Sequence, residues 1–319
     1  MLALVLAVAL PAAVVLPHRL DLDRATPAVA VSIWLSALAL RALTAIFVAV
    51  VLVWYLPATQ LFSLVTHWCW HAVIPFVADH LMLTGHAVGD AALIAPSILL
   101  AVSVLSVARG LWLAARRIQT LVKRASIGRG PGDSVVLDDR AVVVAAAGLM
   151  RPQVVISAGA LVAFDDDELQ ASLEHEHGHI DRGHRFLLVF AEVCGALGRP
   201  LPGTSAAVRE LGYHLERDAD HYSVKRTHQP VALASAICKS ATSQFDAAPA
   251  TSLNGGPVAR RVRALLSDAP ALRGVERALL RGCALAMALL VLAAVSALPA
   301  AIAGGVQASE RSTVVHCQG

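Results

Sequence analysis

The sequence predicts an integral membrane, mainly α protein. About four transmembrane helices are expected, three N-terminal and one C-terminal, with a cytoplasmic α+β domain inserted between the third and the fourth. Three observations carry this. Of 319 residues, 57% belong to the set AVILMFWYC, above the roughly 45–50% usual for globular domains. The apolar excess lies in long blocks, to be judged against the roughly 20 residues needed to cross a hydrocarbon core. Between about Arg116 and Arg277, charge, histidine and polar loops return. The chain therefore divides into residues 1–115 with three membrane helices, 116–277 as the inserted domain, 278–303 as the fourth helix and 304–319 as a short outer tail.

The first block, Leu2 to Leu16, is short and contains Pro11. No basic residue precedes it, as one would in a cleaved signal peptide, so it reads as a span. Leu35 to Leu56, Ala91 to Leu113 and Ala278 to Ala303 follow. Lys and Arg in the flanks set the orientation, because cytoplasmic loops carry an excess of both. None lies between Pro57 and Asp90, whereas Arg116, Arg117, Lys123, Arg124 and Arg129 follow the third block and Arg260, Arg261, Arg263, Arg273 and Arg277 precede the fourth. The inserted domain is thus expected in the cytoplasm, with the N-terminus and the tail outside. The expected location is a bacterial plasma membrane; heavy use of arginine over lysine fits a high-GC source.

Arg41, Arg109 and Arg281 fall in or beside these blocks, each towards the cytoplasmic end, where a long side chain can snorkel to the interface. The outer loop holds His67, His71, His80 and His86, whose spacing matches no closed metal site, and Trp68 and Trp70, which read as interfacial anchors. Cys69 and Cys317 both fall outside, where a disulfide between loop and tail is allowed in an oxidising compartment. The segment Val258 to Leu266, with three arginines, reads as a basic amphipathic helix suited to anionic headgroups or as a retention signal.

The inserted domain carries the chemistry. Asp165, Asp166 and Asp167 precede Glu168 and a run without Gly or Pro until Gly178, the signature of a capped helix start. The stretch SLEHEHGHI therefore lies on a helix, with His175 and His179 four apart on one face. Glu176 stands beside the first, where its carboxylate can reach a water on a shared metal. This is His-Glu-x-x-His, a zinc metalloprotease arrangement with Glu176 as general base; a surface helix rich in histidine is the bland alternative. His177 points off that face. The three-histidine variant of the motif fails, because positions 182 and 185 are arginine and Gly183 and His184 are one residue out of step. Downstream, Glu216 and Asp220 stand one helical turn apart. Glu216 is the expected third ligand and Asp220 the group that fixes a ligand imidazole; His214, Asp218 and His221 are rivals.

Three N-terminal spans, HEHGH, the later ERDAD and a fourth span together resemble the BlaR/MecR-type membrane metallopeptidases, antirepressors with a gluzincin domain. The resemblance covers nearly the whole chain. Arg182 matches an arginine common in that family, whereas His184 stands where the family usually has aspartate. HtpX-type proteases share both zinc motifs, but with a longer insert than the 37 positions from His179 to Glu216 and a different span order. The resemblance implies Zn2+ as cofactor, the lipid bilayer as partner, and a BlaI/MecI-type repressor, or the chain itself, as substrate. In similar enzymes a strand such as RPQVVIS, with Val154, Val155 and Ile156, walls the cleft and pairs with extended substrate; here it is equally readable as a plain sheet strand.

One departure bears on function. Three residues before the lysines, Lys123, Lys225 and Lys239, stand Thr120, Tyr222 and Ala236. Without Ser-x-x-Lys, this chain is not expected to be the covalent β-lactam sensor. No repeat, phosphate-cradling loop or nucleic-acid motif occurs, so direct nucleic-acid binding is not expected. A quality-control protease and a non-catalytic metal-bound scaffold remain the other readings.

Overall fold

The computed structural model describes residues 2–51, most of 98–116, 126–245, 257–267 and 274–316. It is mostly helical, with one small sheet. Helix α1 (Leu2–Arg19) and helix α2 (Pro27–Val50) form an antiparallel pair. The His18 ring packs on Trp34, and Arg41 Nη2 donates to Val14 O near the other end. Pro27 opens α2 where its missing N–H is no loss. The described part of 98–116 is helical.

The long last helix of the chain, Gly274–His316 (α9 in the numbering completed below), runs in the same direction as α2. Met287 joins Leu38 and Leu40 in one apolar cluster, and further along Ala294 and Ala301 meet Phe47 and Val50. Pro27–Val50 and Gly274–Gly305 are long and apolar enough to cross a membrane.

The structure redraws three expectations. The second helix starts eight residues before Leu35, because Ala30, Ile33 and Trp34 are apolar in order to bury against the inserted domain. Residues 304–316, expected as a tail, continue the last helix. Arg41 does not snorkel. It is fully buried, with Nε and Nη1 lacking partners, under the loop before Thr204; Arg109 and Arg281 are exposed. The end of the second expected span from residue 52, all of the third before residue 98, the outer-loop histidines and tryptophans, Cys69 and Cys317 lie outside the described residues.

The inserted domain opens with strands β1 (Ser126–Arg129), β2 (Val135–Leu137), β3 (Val144–Ala147) and β4 (Gln153–Ser157), in the sheet order β1-β2-β4-β3. β2 and β4 are parallel; the two outer pairings are antiparallel. Helix α3 (Ala158–Ala163) follows, then α4 (Asp166–Asp181), α5 (His184–Leu197), α6 (Thr204–Thr227), α7 (Pro230–Phe245), α8 (Pro257–Leu266) and α9. Val136, Ile156, Ala160, Phe164 and Ala236 make the core beneath the sheet. The capped start expected at Asp165–Asp167 is there, and Asp165 and Glu168 form a reciprocal capping box.

Ser157 is the joint of this layer. Its hydroxyl accepts from the N–H of Val143 and of Ala160 and donates to Ala141 O, so it caps α3 and pins the segment entering β3. Ser157→Ala leaves two backbone donors without that partner in a buried place. It is expected to cost about 2–3 kcal/mol, read as a lower melting temperature in detergent with bound metal retained below the transition.

Candidate metal centre

Helices α4 and α6 pack antiparallel. Ser223 Oγ donates to Ala171 O, and a Cβ at Gly178 would stand 3.1 Å from Tyr222 Cβ. That glycine lets the helices approach closely enough for side chains from both to meet. His175 Nε2 and His179 Nε2 lie 3.2 Å apart, and each is 3.5 Å from a different oxygen of Glu216. His175, His179 and Glu216 form a group that could hold a metal ion.

The spacing fits such an ion. A tetrahedral ion bound at about 2.0–2.1 Å has ligand atoms about 3.4 Å apart, close to the separation of the two imidazole nitrogens, and one ligand atom from each of the three residues lies within 4.8 Å of the others.

The surrounding groups set the protons. Asp220 Oδ1 lies 3.0 Å from His175 Nδ1, though off the line of a good hydrogen bond, and keeps that nitrogen the protonated one. On the other imidazole, His179 Nδ1 meets His184 Nδ1 at 2.9 Å, and His184 Nε2 meets Asp218 Oδ2 at 3.1 Å. With a neutral His184, the protons run His179 Nδ1–H to His184 and His184 Nε2–H to Asp218. Both ligand Nε2 lone pairs then face the centre. Arg182 holds both Asp218 oxygens, at 2.7 and 2.8 Å.

Of the rivals, Asp218 is thus a support, His214 is buried beside Arg217 and Tyr213, and His221 is exposed. His177 lies towards Gly132 in the β1–β2 turn.

Arg261 was not legible as part of the site. It comes from α8, pairs with Glu216 Oε2 at 2.7 Å and grips Asp220 with Nε and Nη2 at 2.9 and 2.6 Å. Arg260 beside it binds Glu210 and Asp23. Two of the three arginines read as lipid-facing therefore turn inward, while Arg263 is exposed. The pattern carried a signal, since adjacent arginines on a short helix cannot all share one face.

Burial raises the Glu176 carboxyl to about 7, against the opposing pull of His175 and of the Ala146 N–H, which donates to Glu176 Oε2 at 2.6 Å. Burial also pulls His179 down to about 4. For His175, burial acts downward but is outweighed by the nearby carboxylates of Asp220 and Glu216, which raise it to about 9. Glu216 opens onto the cleft with 38% of its side chain exposed, although protein surrounds it on most sides. Burial would raise it; His175 and Arg261 bring it to about 2.

Val144, His175, Glu176, Leu233, Ile237 and Arg261 are among the residues around a cleft of about 260 Å³. Val154, Val155 and Ile156 do not face it as a free strand. β4 is paired on both sides and these three are buried; the sheet's edges are β1 and β3, and the edge next to Glu176 is that of β3.

Comparison with known protein families, curated proteins and solved structures gave no match.

Metal uptake requires a neutral His175. Because its folded value is about 9, the metal-free site holds that proton at pH 7. Uptake at pH 7 is expected to release about one proton, and affinity to rise about tenfold per pH unit, levelling above about pH 9. Calorimetry in buffers of different ionisation enthalpy reads the proton; a pH-independent affinity from 6 to 9 contradicts it. His175→Ala or Glu216→Ala is expected to lower bound metal from one equivalent to near none, measured by elemental analysis.

Proposed function

We propose that this chain is a membrane-embedded zinc endopeptidase of the BlaR/MecR type, with four spans, the N-terminus outside and the catalytic domain in the cytoplasm. The observation that carries it is the convergence of two imidazoles and one carboxylate, close enough together to share one ion, with Glu176 adjacent. Two nitrogens and one oxygen, leaving a fourth position open, are the donor set of catalytic zinc.

His175, His179 and Glu216 would hold the ion. Zinc bound there would supply Lewis acidity, lowering the pKa of a bound water and polarising a carbonyl.

The chain's own groups do the rest. Glu176, poised at about 7, accepts a proton at its carboxylate and returns it to the departing amine. The edge of β3 beside Glu176, whose Ala146 N–H is held by Glu176, would offer its remaining backbone groups to an extended peptide, so that the substrate adds as a strand. Arg261 offsets the negative charge that Glu216 and Asp220 bring to a desolvated place. The substrate proposed is a cytoplasmic repressor of the BlaI/MecI type, or the chain itself.

Detergent-purified protein is expected to cut an unstructured protein, to stop on addition of chelator, and to recover with zinc. Glu176→Ala is expected to keep one equivalent of metal and to lose about 10²–10⁴-fold in rate. Cutting by Glu176→Ala at the wild-type rate would sink the assignment. Metal bound by wild type with no cutting of any protein offered would favour the scaffold.

A further inference from the structure

Helix α8 reaches two places on α6 with two consecutive residues. Successive side chains of an α-helix project about 100° apart, so Arg260 and Arg261 do not share a target. Arg261 turns to the metal centre, where Nη1 lies 2.7 Å from Glu216 Oε2 and Nε and Nη2 bond the two oxygens of Asp220. Arg260 turns the other way. Its Nη1 donates to both oxygens of Glu210 at 3.0 and 3.2 Å, and its Nη2 to both oxygens of Asp23 at 2.9 and 3.1 Å. The guanidinium carbon stands 3.8 Å from the centre of the Tyr213 ring.

Asp23 belongs to neither helix. It lies in the loop between α1 and α2, and α6 grips the same loop through its backbone: Arg217 Nη2 donates to Asp23 O at 2.7 Å and Nη1 to Leu22 O at 3.3 Å. Glu210, Tyr213, Arg217 and Asp220 follow one another at spacings of three and four, hence along one face of α6. The N-terminal loop, α8 and the carboxylate beside His175 are thus joined by one continuous run of contacts down that face.

A helix of ten residues has little stability of its own. Helix α8 is in place because of what it packs on, α7 and α6, and because of what its arginines hold. The two ends differ in strength. Arg261 is 14% exposed, whereas Asp23 is 49% exposed, and a charge pair weakens as water screens it. The outer cluster around Arg260 is therefore the part that a shift of the loop undoes first.

We propose that Asp23 is a positioning residue of the metal centre. By holding Arg260 it keeps α8 docked, and the docked helix keeps Arg261 across Glu216 Oε2 and Asp220. A displacement of the α1–α2 pair then reaches a ligand carboxylate through two consecutive arginines. The latch bears on the centre through the reading proposed above, in which His175, His179 and Glu216 hold metal, and is independent of proteolysis. The coupling has a sign. Glu216 Oε2 is also 3.5 Å from His175 Nε2, so Arg261 and a bound ion draw on the same carboxylate. Two cations there repel, so a loaded site holds Arg261, and α8 with it, less tightly than an empty one. By reciprocity, an undocked α8 favours loading.

The test is hydrogen–deuterium exchange of the full chain in detergent, read by mass spectrometry on peptides of α8, with peptides of α4 as the reference. Local opening of a docked helix sets such exchange. In metal-free protein, Asp23→Asn is expected to speed exchange of α8 about threefold, the scale of one partly exposed pair, while α4 exchanges as in wild type. Asp23→Glu is expected to restore the wild-type rate, because the carboxylate that Arg260 needs is back. One equivalent of zinc is expected to speed exchange of α8 in wild type and to have little effect on it in Arg261→Ala, which lacks the cation that meets the ion. Equal exchange of α8 in wild type and Asp23→Asn overturns the latch. Exchange of α8 that bound zinc slows or leaves unchanged in wild type overturns its link to the centre. Wild type that binds no zinc contradicts the metal centre instead, and the metal-free comparison of the Asp23 variants still decides the latch.

Discussion

The close antiparallel contact of α4 with α6 is the constraint on which the rest depends. His175 and His179 come from one helix and Glu216 and Asp220 from the other, so neither helix alone can make a three-ligand centre. Helix axes usually lie 8–10 Å apart according to the side chains between them. Gly178 under Tyr222, with Ala171 and Ala219 fully buried, keeps this spacing at the short end. A larger residue in that seam would act on the metal before it acted on the fold, because the ligand separations of 3.2–3.5 Å leave little room for a shift.

Bringing these groups together concentrates negative charge where water is scarce. Glu176, Glu216, Asp218 and Asp220 all crowd the two helices, and a buried carboxylate without a partner is strongly unfavourable. Arg182 answers Asp218, and Arg261 answers Glu216 and Asp220 together. The two arginines differ in origin. Arg182 belongs to the turn after α4 and moves with the ligands, whereas Arg261 belongs to α8, ahead of the long apolar helix α9. The charge balance of the centre is therefore partly supplied by an element that stands just before a helix long and apolar enough to cross a membrane.

Legibility followed sequence distance. The capped helix start, the helix through SLEHEHGHI and the pairing of His175 with His179 are local, fixed by spacing on one helix, and could be read directly. Glu216 and Asp220 required a second helix of known period, which the chain also provides. What could not be read needed tertiary contact. The resemblance made β4 either a cleft wall or a plain sheet strand; sheet order follows from pairing partners, and β2 and β3 both pair with β4. Arg261 read as part of a helix for anionic headgroups or of a retention signal, because hydropathy and charge describe a helix face, not what packs on it. Arg41 failed for the opposite reason: snorkelling assumes a free path to water, and the α5–α6 loop closes it.

His184, which departs from the pattern the rest of the motif follows, carries its own logic. An aspartate there would accept from His179 Nδ1–H directly and add a fifth carboxylate to an already acidic centre. An imidazole can accept at Nδ1 and donate at Nε2, so it passes the contact on to Asp218, which Arg182 already neutralises. The ligand keeps its tautomer, and the anion moves one group further from the metal position. A more distant anion strengthens the ligand imidazole less, and this agrees with His179 being held low while His175, in direct contact with Asp220, is held high. The two imidazoles of one motif are therefore unequal: His175 is the more basic donor and the one that must release its proton before a metal can enter.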